Sequence, residues 1–129
     1  MASPTIVGVP ANVINCDNRP WEGLRVRMFD PAQVELGDDV NLHWAMYQGF
    51  VSEEPVEESI GDFPGRIENQ NEIDAGLFLN VPFSPNIEPV ELGRVRIYWT
   101  VTRSGIVYGR SETVEFFYSV VQGSSTCIP

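Results

Sequence analysis

The chain is poor in reactive side chains. Its 129 residues include one histidine, His43, and two cysteines, Cys16 and Cys127. No Gly-x-Ser-x-Gly elbow, phosphate loop, Cys-x-x-Cys pair or His-Glu-x-x-His segment occurs, so the usual motifs for a nucleophile, a nucleotide or a catalytic zinc are missing. A histidine base needs a nucleophile or an orienting carboxylate within reach, and a zinc site needs several ligands; one histidine supplies neither. No catalytic group and no cofactor is expected. Apolar runs are short, none near the roughly 18 residues that cross a bilayer, so membrane insertion is not expected. The opening MASPTIVGVP lacks the basic and apolar regions of a secretory signal. A module of a larger protein, or one exported by another route, would look the same. Basic residues are scarce too: eight against eighteen acidic, for a formal charge of -10. Such a charge repels phosphate backbones and anionic membranes, which excludes nucleic acid as a partner and leaves a cationic partner, calcium or plain solubility.

The chain is rich in alternation. Apolar and polar residues exchange with a period of two along most of the sequence, and no window sustains the helical spacing i, i+3, i+4, i+7. Leu24, Val26 and Met28 share one face of a strand; Val40, Leu42, Trp44 and Met46 share one face of the next. Leu77, Leu79, Val81 and Phe83 form a third set, Val95, Ile97, Trp99 and Val101 a fourth, and Val114, Phe116, Tyr118 and Val120 a fifth. Pro82 cannot donate a ladder hydrogen bond, which argues for an edge strand or a bulge there, an edge being the better fit. Arg103-Ser104-Gly105 reads as a hairpin connection to a strand around Val107. With 43% hydrophobic residues, seven or eight short strands and turn signals near every tenth residue, residues 1–129 are expected to form one all-β domain, a sandwich of two antiparallel sheets.

Candidate site residues lie in the turns. Asp38 and Asp39, after Gly37, either fix the turn by accepting backbone N–H groups or contribute to a calcium site, which would need six to eight oxygens. Alternation turns His43 away from the core, with no evident partner. The segment 48–71 is the weakest in pattern and carries much of the acidity; Phe50, Glu53, Glu54, Glu57, Glu58 and Phe63 are its candidate binding residues. It reads as a solvated excursion or as short edge strands. Arg25, Arg27, Arg94 and Arg96 are expected to be exposed on outer sheet faces. Cys16 and Cys127 lie near the two ends. They are either a disulfide closing a loop of roughly 110 residues, or two unrelated thiols; residues 1–5 and 122–129 are correspondingly frayed or stapled.

The stretches LRVRMFDPAQVELGDDVNLHWAMYQG and GRVRIYWTVTRSGIVYGRSETVEFFY resemble the bacterial immunoglobulin-like modules of surface, adhesive and exported proteins, in which a Gly-Asp step opens the strand carrying the core tryptophan. The resemblance covers about 100 residues and rests on strand patterning. It implies an immunoglobulin-like sandwich acting as a structural, adhesion or recognition unit, extracellular or at the cell surface, whose partner is a protein or a glycan. It departs from antibody domains in having Val26 and Ile97 or Trp99 where those carry the bridging cysteines. A free-standing acidic inhibitor of a basic partner and a carbohydrate-binding module are the rival readings.

Overall fold

The computed structural model describes every residue, Met1–Pro129. The chain is mostly β, with 44% of residues in strands and 16% in helices, the helices being single turns of three to five residues. The strands are β1 (Thr5–Ile6), β2 (Val13–Ile14), β3 (Leu24–Met28), β4 (Asp39–Gln48), β5 (Gly61–Arg66), β6 (Leu77–Val81), β7 (Leu92–Arg103), β8 (Ile106–Arg110), β9 (Val114–Ser119), β10 (Val121–Gln122) and β11 (Ser125–Thr126). Four of them are two-residue bridges, which leaves seven longer strands, in keeping with the sequence pattern. Three sheets form: β1-β3-β6, β2-β9-β7-β4-β5 with β8 also beside β7, and the small hairpin β10-β11.

Alternation decides what is buried. The inward sets of β3 and β6 (Leu24, Val26, Met28, Leu77, Val81) join those of β4, β7 and β9 in one cluster of 22 buried residues. Trp44 and Trp99 lie at its centre, each almost fully buried. A buried indole needs an acceptor: Trp44 Nε1 donates to the Asn86 carbonyl at 3.0 Å, and Trp99 Nε1 to the Ala2 carbonyl at 2.7 Å. The second bond ties the N-terminal residues to the core, so residues 1–5 are held rather than frayed.

The long antiparallel ladder of β4 with β7 runs from Asp39 opposite Thr102 to Gln48 opposite Gly93. Gly93 is required by close approach, since a Cβ there would overlap the Tyr47 carbonyl oxygen. Beyond Arg103 the chain reverses through Ser104 and Gly105, both at positive φ, the geometry of a tight two-residue hairpin turn. This is the hairpin expected from Arg103-Ser104-Gly105, with Arg103 opposite Ile106. Between β8 and β9 the edge is interrupted, and Ser111 spans the gap. Its N–H donates to the Trp99 carbonyl at 2.9 Å, and its Oγ accepts the Trp99 N–H at 3.0 Å. Strand β6 is an edge, but Pro82, expected within it, lies just past its end and opens a short helix, Phe83–Asn86.

The two cysteines pair. After β9 the chain folds back through β10 and β11, and the Cys127 N–H donates to the Val120 carbonyl at 2.9 Å. This brings Cys127 to Cys16, with Cα atoms 6.1 Å apart and 111 positions apart in sequence. Closing so long a loop removes about 4 to 5 kcal/mol of chain entropy from the unfolded state in the polymer account.

Two stability outcomes are expected. Replacing both cysteines by serine lowers the unfolding free energy by about 4 to 5 kcal/mol, read from urea denaturation against the oxidised parent. Gly93→Ala forces the β4–β7 ladder apart at its end and costs about 1 to 3 kcal/mol, read from the same curves.

Candidate functional site

The face of β4 turned away from the core carries His43, Ala45 and Tyr47. Cross-strand pairing sets His43 opposite Tyr98, Ala45 opposite Arg96 and Tyr47 opposite Arg94 on β7. On its other side, β4 pairs with β5, which sets His43 opposite Asp62. These registers build the site, because side chains facing one another across two strands stand within contact distance.

His43 is therefore not alone. Its Nδ1 lies 2.6 Å from Asp62 Oδ1, its Nε2 lies 3.3 Å from Thr100 Oγ1, and its ring stacks on Tyr98 with centroids 4.3 Å apart. Both ring nitrogens are thereby engaged, and the ring is held in one orientation. Arg110 lies over the Tyr98 ring, 3.9 Å from its centroid. The expectation of a partnerless histidine fails because β5 lies in the weakly patterned segment. In Gly61–Arg66 the inward positions are Gly61, Phe63 and Gly65, so two glycines hide an alternation whose outward members are Asp62, Pro64 and Arg66.

One turn of the pleat further along, the arginines form a network. Arg96 Nε donates to Glu115 at 2.7 Å and Nη1 to Glu53 at 3.0 Å, while its guanidinium lies 4.6 Å from the Tyr47 ring centroid. Arg94 was expected to be exposed but is buried, at 4% exposure. The loop after β4 covers it, and its guanidinium donates to the Gly49 and Ser52 carbonyls. Hydrogen bonds from Arg96, then its charge, hold the Glu53 carboxyl below the ordinary carboxylate range. Bonds to Glu115 and Glu53 push the Arg96 guanidinium further up.

The candidate binding residues thus separate. Glu53 belongs to this network. Glu54, Glu57 and Glu58 are exposed and have no arginine partner. Phe50 is 55% exposed and stands 6.1 Å from Phe117, itself 48% exposed. Phe63 is not a surface contact, since it packs inward against the core. Nor is the segment a free excursion: the Val56 N–H donates to the Met46 carbonyl, and buried Ser59 accepts the Met46 N–H through its Oγ.

Asp38 and Asp39 do not converge as calcium ligands. Asp38 is buried, and both its oxygens are taken by Arg103, Nε to Oδ1 and Nη2 to Oδ2, each at 2.8 Å; Oδ2 also accepts the Glu35 N–H. Asp39 points outward, 4.0 Å from Arg66. The Arg103 bonds hold the Asp38 carboxyl below the ordinary range against the opposing effect of burial. Sequence gives no sign of this pair, which joins residues 65 positions apart. Between the outer faces of β4, β5 and β7, Ala45 leaves a concavity of about 340 Å³ lined by His43, Tyr47, Ile60, Asp62, Arg96, Tyr98 and Thr113 among others.

Comparison of the chain with protein-family models, curated proteins and solved structures gives no match in any of the three.

Asp38→Asn lowers stability near neutral pH by about 1 to 3 kcal/mol, the worth of a charge-assisted bond set in a buried place. Because the folded pKa of Asp38 lies below its unfolded value of about 3.9, its contribution is complete above that value and is lost as pH falls through the folded one. Denaturation of parent and variant is thus expected to differ at neutral pH and converge in acid.

Proposed function

We propose that the chain is an immunoglobulin-like β-sandwich module that acts by binding, without catalysis, in a bacterial cell-surface or exported protein. Strand order is the observation that carries the reading. If β1, β3, β4, β5, β6, β7 and β9 are strands A, B, C, C′, E, F and G, the sheets read A-B-E and G-F-C-C′, which is the immunoglobulin arrangement with an added C′ strand. The first strand divides between the sheets: β1 pairs antiparallel with β3, and β2 pairs parallel with β9. The core tryptophan on strand C is Trp44. Where antibody domains join strands B and F by a disulfide, this chain has aliphatic and aromatic packing and joins its two ends through Cys16 and Cys127 instead. A bridge of this kind is favoured by an oxidising compartment.

Asp62, His43 and Thr100 stand in the order of orienter, base and hydroxyl nucleophile. Their setting favours a binding role. β4 and β7 are interior strands with ladders on both sides, so their backbone N–H groups are engaged and none is free to hold an oxyanion. What the face does offer is a rigid surface of paired charges and rings, with exposed Phe50 and Phe117 at one end.

The test is capture of partners from surface and secreted fractions by the oxidised protein, beside a variant carrying Tyr47→Ser and Phe117→Ser. A partner retained by the parent and lost by the folded variant is the expected result. A stoichiometric basic partner held equally by both proteins and released by salt would replace this reading with that of an acidic inhibitor, and glycan binding in its place would favour a carbohydrate module.

A further inference from the structure

We infer that the concavity above Ala45 is a binding site for a cationic side chain, an arginine or lysine, of a protein partner. The inference rests on the recognition reading above and specifies what this face recognises. Ala45 is the one small side chain in the outward row of β4 between His43 and Tyr47, and the space it leaves, about 340 Å³, falls at the small end of ligand pockets. Ile60, 49% exposed, and the Tyr47 ring offer apolar walls, while Tyr98, covered on its faces by His43 and Arg110, contributes its edge. A long basic side chain can lay its methylene stem along such walls and carry its charge to the rim.

The rim decides the sign of the ligand. Asp62 is the only carboxylate that lines the concavity. It is 63% exposed, and its Oδ1 is held by His43, while Oδ2 has no partner within the chain. His43 is in turn fixed by Thr100 and by stacking on Tyr98, so the carboxylate is already oriented before a ligand arrives, which limits the entropy lost on binding. Arg96, the one arginine in the lining, is matched by Glu53 and Glu115 at 3.0 and 2.7 Å, two carboxylates it shares with Arg94, and Arg110, which has no carboxylate partner, is stacked on Tyr98 outside the lining. The formal charge of -10 draws cations towards the molecule and repels anions.

The experiment is a titration followed in two-dimensional amide spectra of the intact, oxidised protein at low salt. The probes are the N-acetyl methylamides of arginine, of citrulline as its neutral isostere, and of glutamate, together with methyl glucoside. The arginine probe is expected to give saturable shifts in the millimolar range at Ala45, Gly61, Asp62 and Thr113, with citrulline weaker by on the order of ten-fold. Asp62→Asn should weaken the arginine probe by a similar factor, whereas Glu58→Gln, an equal change of charge away from the concavity, should leave it unaltered. The spectrum of each variant reports whether the fold is intact. Absence of saturable shifts, an equal response to citrulline or methyl glucoside, or equal effects of the two substitutions would overturn the inference. Capture of a partner through this face alongside a silent arginine titration would sink the cationic site alone and leave the recognition reading standing.

Discussion

The pairing of β4 with β7 is the constraint on which the remaining structure depends. Ten residues of one strand lie against ten of the other, and the pleat sends every second side chain to the opposite side. One side builds the core around Trp44 and Trp99; the other builds the surface of His43, Tyr47, Arg96 and Tyr98. Core and site therefore share one register. A slip of one residue would exchange them and bury charges while exposing tryptophans, so packing of the interior also fixes the outer face. The overlap that a Cβ at Gly93 would make with the Tyr47 carbonyl guards the end of the same ladder.

Much of this frame was legible in the sequence, because a half-buried strand writes its buried side as a period of two. The inward residues of β3, β4, β7 and β9, the β7–β8 hairpin and the edge position of β6 all followed from that rule and from turn chemistry. What resisted was anything decided by pairing between distant segments. His43 looked partnerless because Gly61 and Gly65 concealed the strand that brings Asp62. Arg94 looked exposed because alternation does not reveal that the Gly49–Ser52 carbonyls fold over it. Phe63 looked like a loop aromatic for the same reason as His43 looked idle. Asp38 and Arg103 meet only because a loop before β4 and the end of β7 lie side by side. The cysteines could be paired or separate until the fold brought both ends together.

The distribution of charge follows a similar logic. All eight basic residues are arginines, and six of them lie over aromatic rings, with Arg103 and Arg110 each 3.9 Å from a tyrosine centroid. A planar guanidinium can stack and bridge carboxylates at once, and Arg96 does both, on Tyr47 and between Glu53 and Glu115. The few positive charges are thus spent on holding strands and loops in place. The unmatched charge of the surface is mostly carboxylate, Arg25, Arg27 and Arg110 being the arginines without a carboxylate partner.

The position of the disulfide gives the domain a mechanical character. Tension applied through the segments on either side of Cys16 and Cys127 passes from one sulfur to the other and bypasses the ladders between them. The 111 positions that the bond spans correspond to about 400 Å of extended chain at about 3.6 Å per residue, and none of that length can pay out while the bond is intact. Under load the oxidised domain yields only residues 1–15, where β1 and β2 lie outside the closed loop and take the pull directly, while the ladders among β3 to β11 are shielded from it. Reduction turns the same domain into a long elastic reserve.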